Sequence, residues 1–276
     1  YTLLQAFAGV GIDDPTASLR FNVTQFGFHA TVLSGRHSPV YIDPYSKADT
    51  RHYMTYYKSD YQRAVSYECL FEDDDMTIME SLPVGTVQGD CMLRTYRLAL
   101  ACTSTYADFH GGNKPDVMAA FHTTMTRVNG VFERDVAVSM MLVANNDELI
   151  FIEDSPYSDE TSFGIFYENQ MVCDDIIGTE HYDIGHVFAY EGGSVALGGA
   201  AYRSSACVDQ MKASAVSSFD PPVGDPFDID FVAHEMGHQL GCSHTASNNC
   251  NSTRATSVEP SDASTIMGQY FCQLPN

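Results

Sequence analysis

One stretch constrains this chain more than any other: His234-Glu235-Met236-Gly237-His238-Gln239-Leu240-Gly241-Cys242-Ser243-His244. Two histidines four positions apart on a helix differ by about 400° of rotation and about 6 Å of rise. They leave the helix from one face and can grip one ion. A third ligand ten positions on would lie too far along a continuous helix. Gly241 removes that obstacle, because glycine accepts positive φ and lets the chain turn sharply. His244 then swings back to the same ion. Imidazole is a preferred Zn²⁺ ligand, and three protein ligands leave the fourth position open, as in catalytic rather than structural sites.

Glu235 follows the first ligand on the same helix. Bound Zn²⁺ lowers the pKa of a water to about 7. A neighbouring carboxylate accepts that proton as the water attacks a carbonyl, and can return it to the leaving amine. The expected roles are therefore His234, His238 and His244 as metal ligands and Glu235 as general base and acid.

The eleven-residue pattern resembles the metzincin clan of zinc endopeptidases. That clan has a methionine turn beneath the metal, and Met267 in Ser264-Thr265-Ile266-Met267-Gly268 matches it. The stretches Tyr182–Phe188, Gly192–Tyr202 and Gly224–Ala233, with Leu93–Leu100 as a first strand, resemble the reprolysin-like metalloproteases found in many bacteria. The resemblance implies an α/β catalytic domain over residues 89–276, with a mixed, mostly parallel twisted sheet of about five strands and an active-site helix. Residues 1–88, notably Gly27–Ala30 and Tyr41–Tyr45, resemble the end of that group's propeptide. They read as a small antiparallel β segment followed by a linker. The resemblance also implies an edge strand that binds extended polypeptide by β-augmentation, with Val195, Ala196, Leu197 and Gly198 as the candidates. Close packing alone is the competing reading of that Gly/Ala-rich stretch. His181 and His186 read as structural or solvated, since three ligands suffice.

The pattern departs from animal reprolysins at Thr245, where they have aspartate. Tyr270 lies three residues after Met267, not two, and no fifth ligand is assigned to it. The chain ends nine residues after Met267, so the C-terminal part is expected to be short or truncated. Cys69 is a candidate latency switch that would take the open zinc position; a disulfide, for example to Cys91, is the rival reading. A Cys250–Cys272 bridge would tie the methionine turn to the zinc loop, and Cys173–Cys207 is a second candidate pair. Cys242 reads as a small packed residue or a half-cystine rather than a ligand. The segment 64–92 has no dibasic or RxxR site, so furin-like maturation is unsupported.

Composition sets the context. Lys and Arg number 14 against 36 Asp and Glu, a net charge of −22. No basic footprint for nucleic acid exists, and anionic membranes are disfavoured. No apolar run approaches the roughly 18–20 residues of a membrane helix. The acid excess falls mainly on residues 89–276, with 8 Lys and Arg against 25 Asp and Glu. A solvated surface explains it; bound Ca²⁺ or a cationic substrate is the sharper alternative. Eight cysteines without a CxxC favour an oxidising, extracellular compartment. The sequons Asn22-Val-Thr24 and Asn251-Ser-Thr253 fit it. Tyr1 opens the chain without a leader, which implies processing or a longer parent chain. Nothing in the sequence signals an oligomeric state.

Periodicity fills in the elements. Strands are expected within 19–60 as a meander with turns at Ser34-Gly35 and Asp43-Pro44, then at 92–101, 136–142, 149–152, 184–189 and in 192–201. Helices are expected over 115–128, 169–177 and 228–240, the first capped by Asn113 and the last ended by Gly241. The leading functional reading is a secreted zinc endopeptidase, as an active enzyme or a latent proform. The rivals are an extracellular structural or adhesive module with a latent zinc site, and an amidase for small substrates. An extended strand beside the metal favours polypeptide over the last.

Overall fold

The computed structural model describes residues 4–61, 90–158, 164–190, 198–247, 256–260 and 264–268. The chain begins with a five-stranded antiparallel sheet, β1 (Gln5–Val10), β2 (Ser18–Thr24), β3 (Gly27–Leu33), β4 (Val40–Ser46) and β5 (Asp49–Tyr57), ordered as in the sequence. This is the expected meander with one strand added in front. The expected turn at Asp43-Pro44 is instead inside β4, where the register shifts between Pro44 and Ser46. A proline without an N–H is tolerated at such an irregularity.

A second sheet follows, built from β6 (Arg94–Cys102), β7 (Val138–Leu142), β8 (Ile184–Ala189), β9 (Gly199–Ala201) and β10 (Ala215–Ser218). Its order is β7-β6-β8-β10-β9; all pairings are parallel except β9 with β10, which is antiparallel. Every residue of central β8 is buried, as a parallel strand covered on both faces must be. A parallel pair, β11 (Ala246–Ser247) and β12 (Glu259–Pro260), lies near the C-terminal end.

The helices are α1 (Ser104–Phe109), α2 (Lys114–Asp135), α3 (Gly164–Ile176) and a continuous helical run over 226–239, whose first part, Pro226–Ala233, is π-helical and whose second, His234–Gln239, is α4. Asn113 caps α2 through its side chain, with Pro115 in the first turn, and the helix outruns its expected end by a further two turns. α2 and the helical run share one face of the second sheet, where Phe121, Val128, Phe227, Phe231 and Met236 pack with Leu98 and Leu100. α3 covers the other face, with Ile165 and Cys173 against Ala99, Ala101 and Val187. No helix of the described residues is long and apolar enough to cross a membrane.

Several expectations are corrected. Residues 149–152 are not a strand. A 3₁₀ turn, Asn146–Leu149, leads to one isolated bridge between Ile150 and Cys102. The Asn146 amide takes the place of a strand: its Oδ1 accepts the Leu100 N–H and its Nδ2 donates to the Leu100 carbonyl, both at 2.8 Å. Cys173 and Cys207 are not bonded to each other; both are free, Cys173 on the buried face of α3 and Cys207 exposed. Cys91 and Cys242 are free as well. The Asn22 sequon is closed, because Asn22 is 1% exposed and its Nδ2 donates to Thr123 Oγ1 at 2.9 Å. Cys69, Cys250, Cys272, Val195, Ala196, Leu197, Tyr270, Asn251 and the expected boundary near residue 88 lie outside the described residues.

Candidate metal centre

The helical run is enclosed on all sides, with every residue from Pro226 to Gln239 buried, its polar side chains included. Such a helix belongs in a core. It delivers His234 and His238 from one face, one turn apart. The run then stops on a Schellman motif: Gly241 N–H donates to the His238 carbonyl at 2.8 Å and Cys242 N–H to the Gly237 carbonyl at 2.9 Å. Gly241 has φ +107°, the left-handed conformation that the spacing required. His244 is thereby returned to the other two histidines.

The three Nε2 atoms form a small triangle, with His234–His238 and His234–His244 at 3.1 Å and His238–His244 at 3.3 Å. A tetrahedral ion with Zn–N arms of 2.0–2.1 Å demands edges of about 3.3 Å, so the donor set fits zinc. Ring orientation is fixed from behind. His234 Nδ1 donates to the Ile266 carbonyl at 2.6 Å and His238 Nδ1 to the Cys242 carbonyl at 2.8 Å. These bonds select the tautomer whose Nε2 lone pair points inward. Burial also keeps the rings neutral, the state that ligates. Desolvation, then the nearby His244, lowers His234 to about 3; desolvation lowers His244 to about 4, and His238 falls well below its ordinary value.

Met267 sits beneath this helix. A Cβ placed on Gly237 would lie 2.6 Å from the Met267 sulfur, so glycine is what lets the two approach. The Met267 carbonyl accepts the Thr245 N–H at 3.1 Å, which stitches the turn to the segment carrying His244. Glu235 is 1% exposed. Its carboxylate occupies the space that a side chain on Gly199 of β9 would take. The terminal strand of the second sheet thus runs directly beside the carboxylate. Of the four expected edge-strand residues, Gly198 is described; its carbonyl accepts the Ser218 N–H at 2.8 Å from β10, one residue before β9.

Gln239, which holds the helix on the sheet, carries no signal in the sequence. Gln239 Nε2 donates to the Gly185 carbonyl at 2.8 Å, and its Oε1 pairs with His186 Nδ1 at 3.0 Å. His186 Nε2 meets Ser217 Oγ at 2.9 Å, so this buried imidazole is a brace, as its expected structural role requires. His181 is solvent-exposed on a 3₁₀ turn. Gly199 and Gly237 were also missed as site residues. A glycine beside each functional side chain carries no signal of its own in one sequence.

Among the described residues, His234, His238 and His244 are the one group of three or more His, Cys, Asp or Glu side chains close enough to hold a metal. No curated protein matches the chain significantly. The family model described as metallo-peptidase family M12B, reprolysin-like, matches residues 92–272, which take in β6, the whole second sheet, the helical run and the methionine turn. The chain belongs to the reprolysin-like M12B metallopeptidases.

Proposed function

We propose that this chain is a zinc endopeptidase in which Glu235 moves the proton. The observation that carries the reading is the Nε2 triangle of His234, His238 and His244, sized for a tetrahedral ion, with Glu235 on the same helix beside β9. Zinc held there supplies a Lewis acid that polarises a carbonyl and acidifies water. Glu235 accepts the proton of the attacking water at its carboxylate and hands it to the departing amine nitrogen. Burial of Glu235 beside a strand rather than in open solvent orients the carboxylate for that transfer. Substrate enters as an extended polypeptide against the terminal strand, where backbone pairing favours peptides over small amides.

An extracellular site of action belongs to the same proposal. Its support is the even cysteine number and the acidic composition; the free thiols of Cys91, Cys173, Cys207 and Cys242 give it none. Calcium, and latency through Cys69, have no support among the described residues.

The deciding experiment is Glu235→Ala in zinc-loaded protein, read by cleavage of a peptide library and by metal content. Cleavage should fall by about 10²–10⁴-fold, with zinc retained. Unchanged cleavage removes Glu235 from the chemistry. Absence of cleavage in the zinc-loaded wild type, on peptides and small amides alike, favours the structural-module reading.

A further inference from the structure

The N-terminal sheet is fastened to the family-matched part by more than the connecting chain. β2 and β3 lie along α2. Leu33 of β3 is buried in the same apolar cluster as Leu98 and Val128. Gly130 of α2 lets Arg20 of β2 cross it closely; a Cβ there would lie 2.9 Å from Arg20 Cγ. Arg20 reaches on to pair with Glu133.

The polar part of the seam is aimed at the helical run. Three carboxylates, Asp225, Asp228 and Asp230, sit within six residues just ahead of His234, and all are buried. Arg127 of α2, its side chain 3% exposed, bridges Asp228 at 2.8 Å and Asp43 of β4. Lys58, just past β5, donates to Asp225 at 2.7 Å and to Asp230 at 3.0 Å. The Tyr41 hydroxyl of β4 donates to Asp225 as well. Buried carboxylates so close together repel, and removing one partner of a buried ion pair leaves an uncompensated charge. The first sheet and the turn that follows it supply Tyr41 and Lys58 to that balance, and Asp43 to Arg127.

The part of the seam along α2 lies at the opposite edge of the second sheet from the terminal strand. The sheet abuts α2, which packs on β7 at one edge of the second sheet, whereas Glu235 lies beside β9 at the other. The carbonyls that accept from Nδ1 of His234 and His238, those of Ile266 and Cys242, both lie in the C-terminal half.

We infer that residues 4–61 are a lasting non-covalent subunit of this enzyme: when the chain is cut between residues 62 and 89, the sheet stays seated and continues to hold the helical run that carries His234. A segment that merely blocked the metal would leave on cutting. The inference goes beyond the peptidase reading and does not depend on it.

The test uses the full chain with a site-specific protease sequence inserted between residues 62 and 89, cut after folding. Size exclusion at 1 µM, in low salt and in 1 M NaCl, is read by intact mass across the peak. Both fragments should co-elute at the volume of the uncut chain in both salts. Separate elution in low salt overturns the inference, and this arm needs no metal, so it fails independently of the peptidase reading. The same cut protein with Tyr41→Phe and Lys58→Met should release its N-terminal fragment at least about tenfold faster. An unchanged release rate overturns the role given to the ion network. Zinc release, followed with a chromogenic chelator, should quicken by about tenfold in the same variant; an unchanged rate overturns the hold on the helical run.

Discussion

Gly199 on β9 and Glu235 on α4 are matched: the backbone of one makes room for the carboxylate of the other. Gly199→Ala should therefore displace Glu235 while leaving the three histidines in place. We expect peptide cleavage to fall at least about tenfold, with a stability loss of about 1–3 kcal/mol from overpacking. Zinc content should not change. The measurement pairs peptide kinetics with metal analysis; loss of both together would place the damage in the fold rather than at Glu235.

Gly237 and Met267 form a second pair of this kind. Gly237→Ala brings a methyl group to within 2.6 Å of the methionine sulfur. Met267→Ala opens a gap at the same spot. The two changes should compensate in part, with a coupling of about 0.5–3 kcal/mol in a double-mutant cycle read by urea unfolding. Strict additivity would separate the methionine turn from the helix energetically.

Gly241 carries the turn that returns His244. At φ +107° an alanine costs about 1–2 kcal/mol. Because that strain is relieved by moving His244, Gly241→Ala should also weaken zinc binding. Chelator competition checks this, and unaltered affinity would show that the strain is absorbed elsewhere.

Arg127 is the buried cation at the seam. Arg127→Met strands Asp43 and Asp228 together and should cost about 3–5 kcal/mol in urea unfolding. Restoring balance with Asp228→Asn in the same chain should recover part of that loss. A cost below about 1 kcal/mol for the single change would mark the network as incidental.

Acid should loosen the same seam. Burial pushes the Asp43 carboxyl up, but the Arg127 charge and the His29 hydrogen bond outweigh it and hold the pKa at about 2. An unfolded aspartate titrates near about 3.9. A depressed carboxylate stabilises fully above the unfolded value and loses that contribution as the pH falls through the folded one. Stability attributable to Asp43 should thus be constant above about pH 4 and vanish toward pH 2. Asp228 has the opposite sign, since burial raises its carboxyl despite Arg127. The advantage of the wild type over Asp43→Asn should shrink by about 2 kcal/mol across that window. A difference that stays constant from pH 7 to pH 2 contradicts the assignment.

The metal centre was readable because its three ligands lie within eleven residues and the turn between them needs one glycine. β8 was readable as well, its apolar run being the mark of a doubly covered strand. β10 was not. It reads Ala-Val-Ser-Ser, and both serines are fully buried, Ser217 against His186. A polar strand residue satisfied by a distant partner, as Ser217 is by His186, looks like a loop in one dimension. The strand expected at 149–152 fails for the converse reason, because the Asn146 amide takes the hydrogen bonds a strand would have needed. The seam is legible least of all. Arg127 meets partners 84 and 101 residues away, and no local pattern announces such a meeting.

The bond from Tyr41 to Asp225 spans 184 residues of sequence. The first sheet, by contrast, is made of neighbouring hairpins, whose short loops close cheaply. During synthesis it can be complete long before the ribosome reaches His234. The metal-binding helix is then laid down late, onto a surface already waiting for its three acids, and the order of translation becomes part of how the centre is assembled.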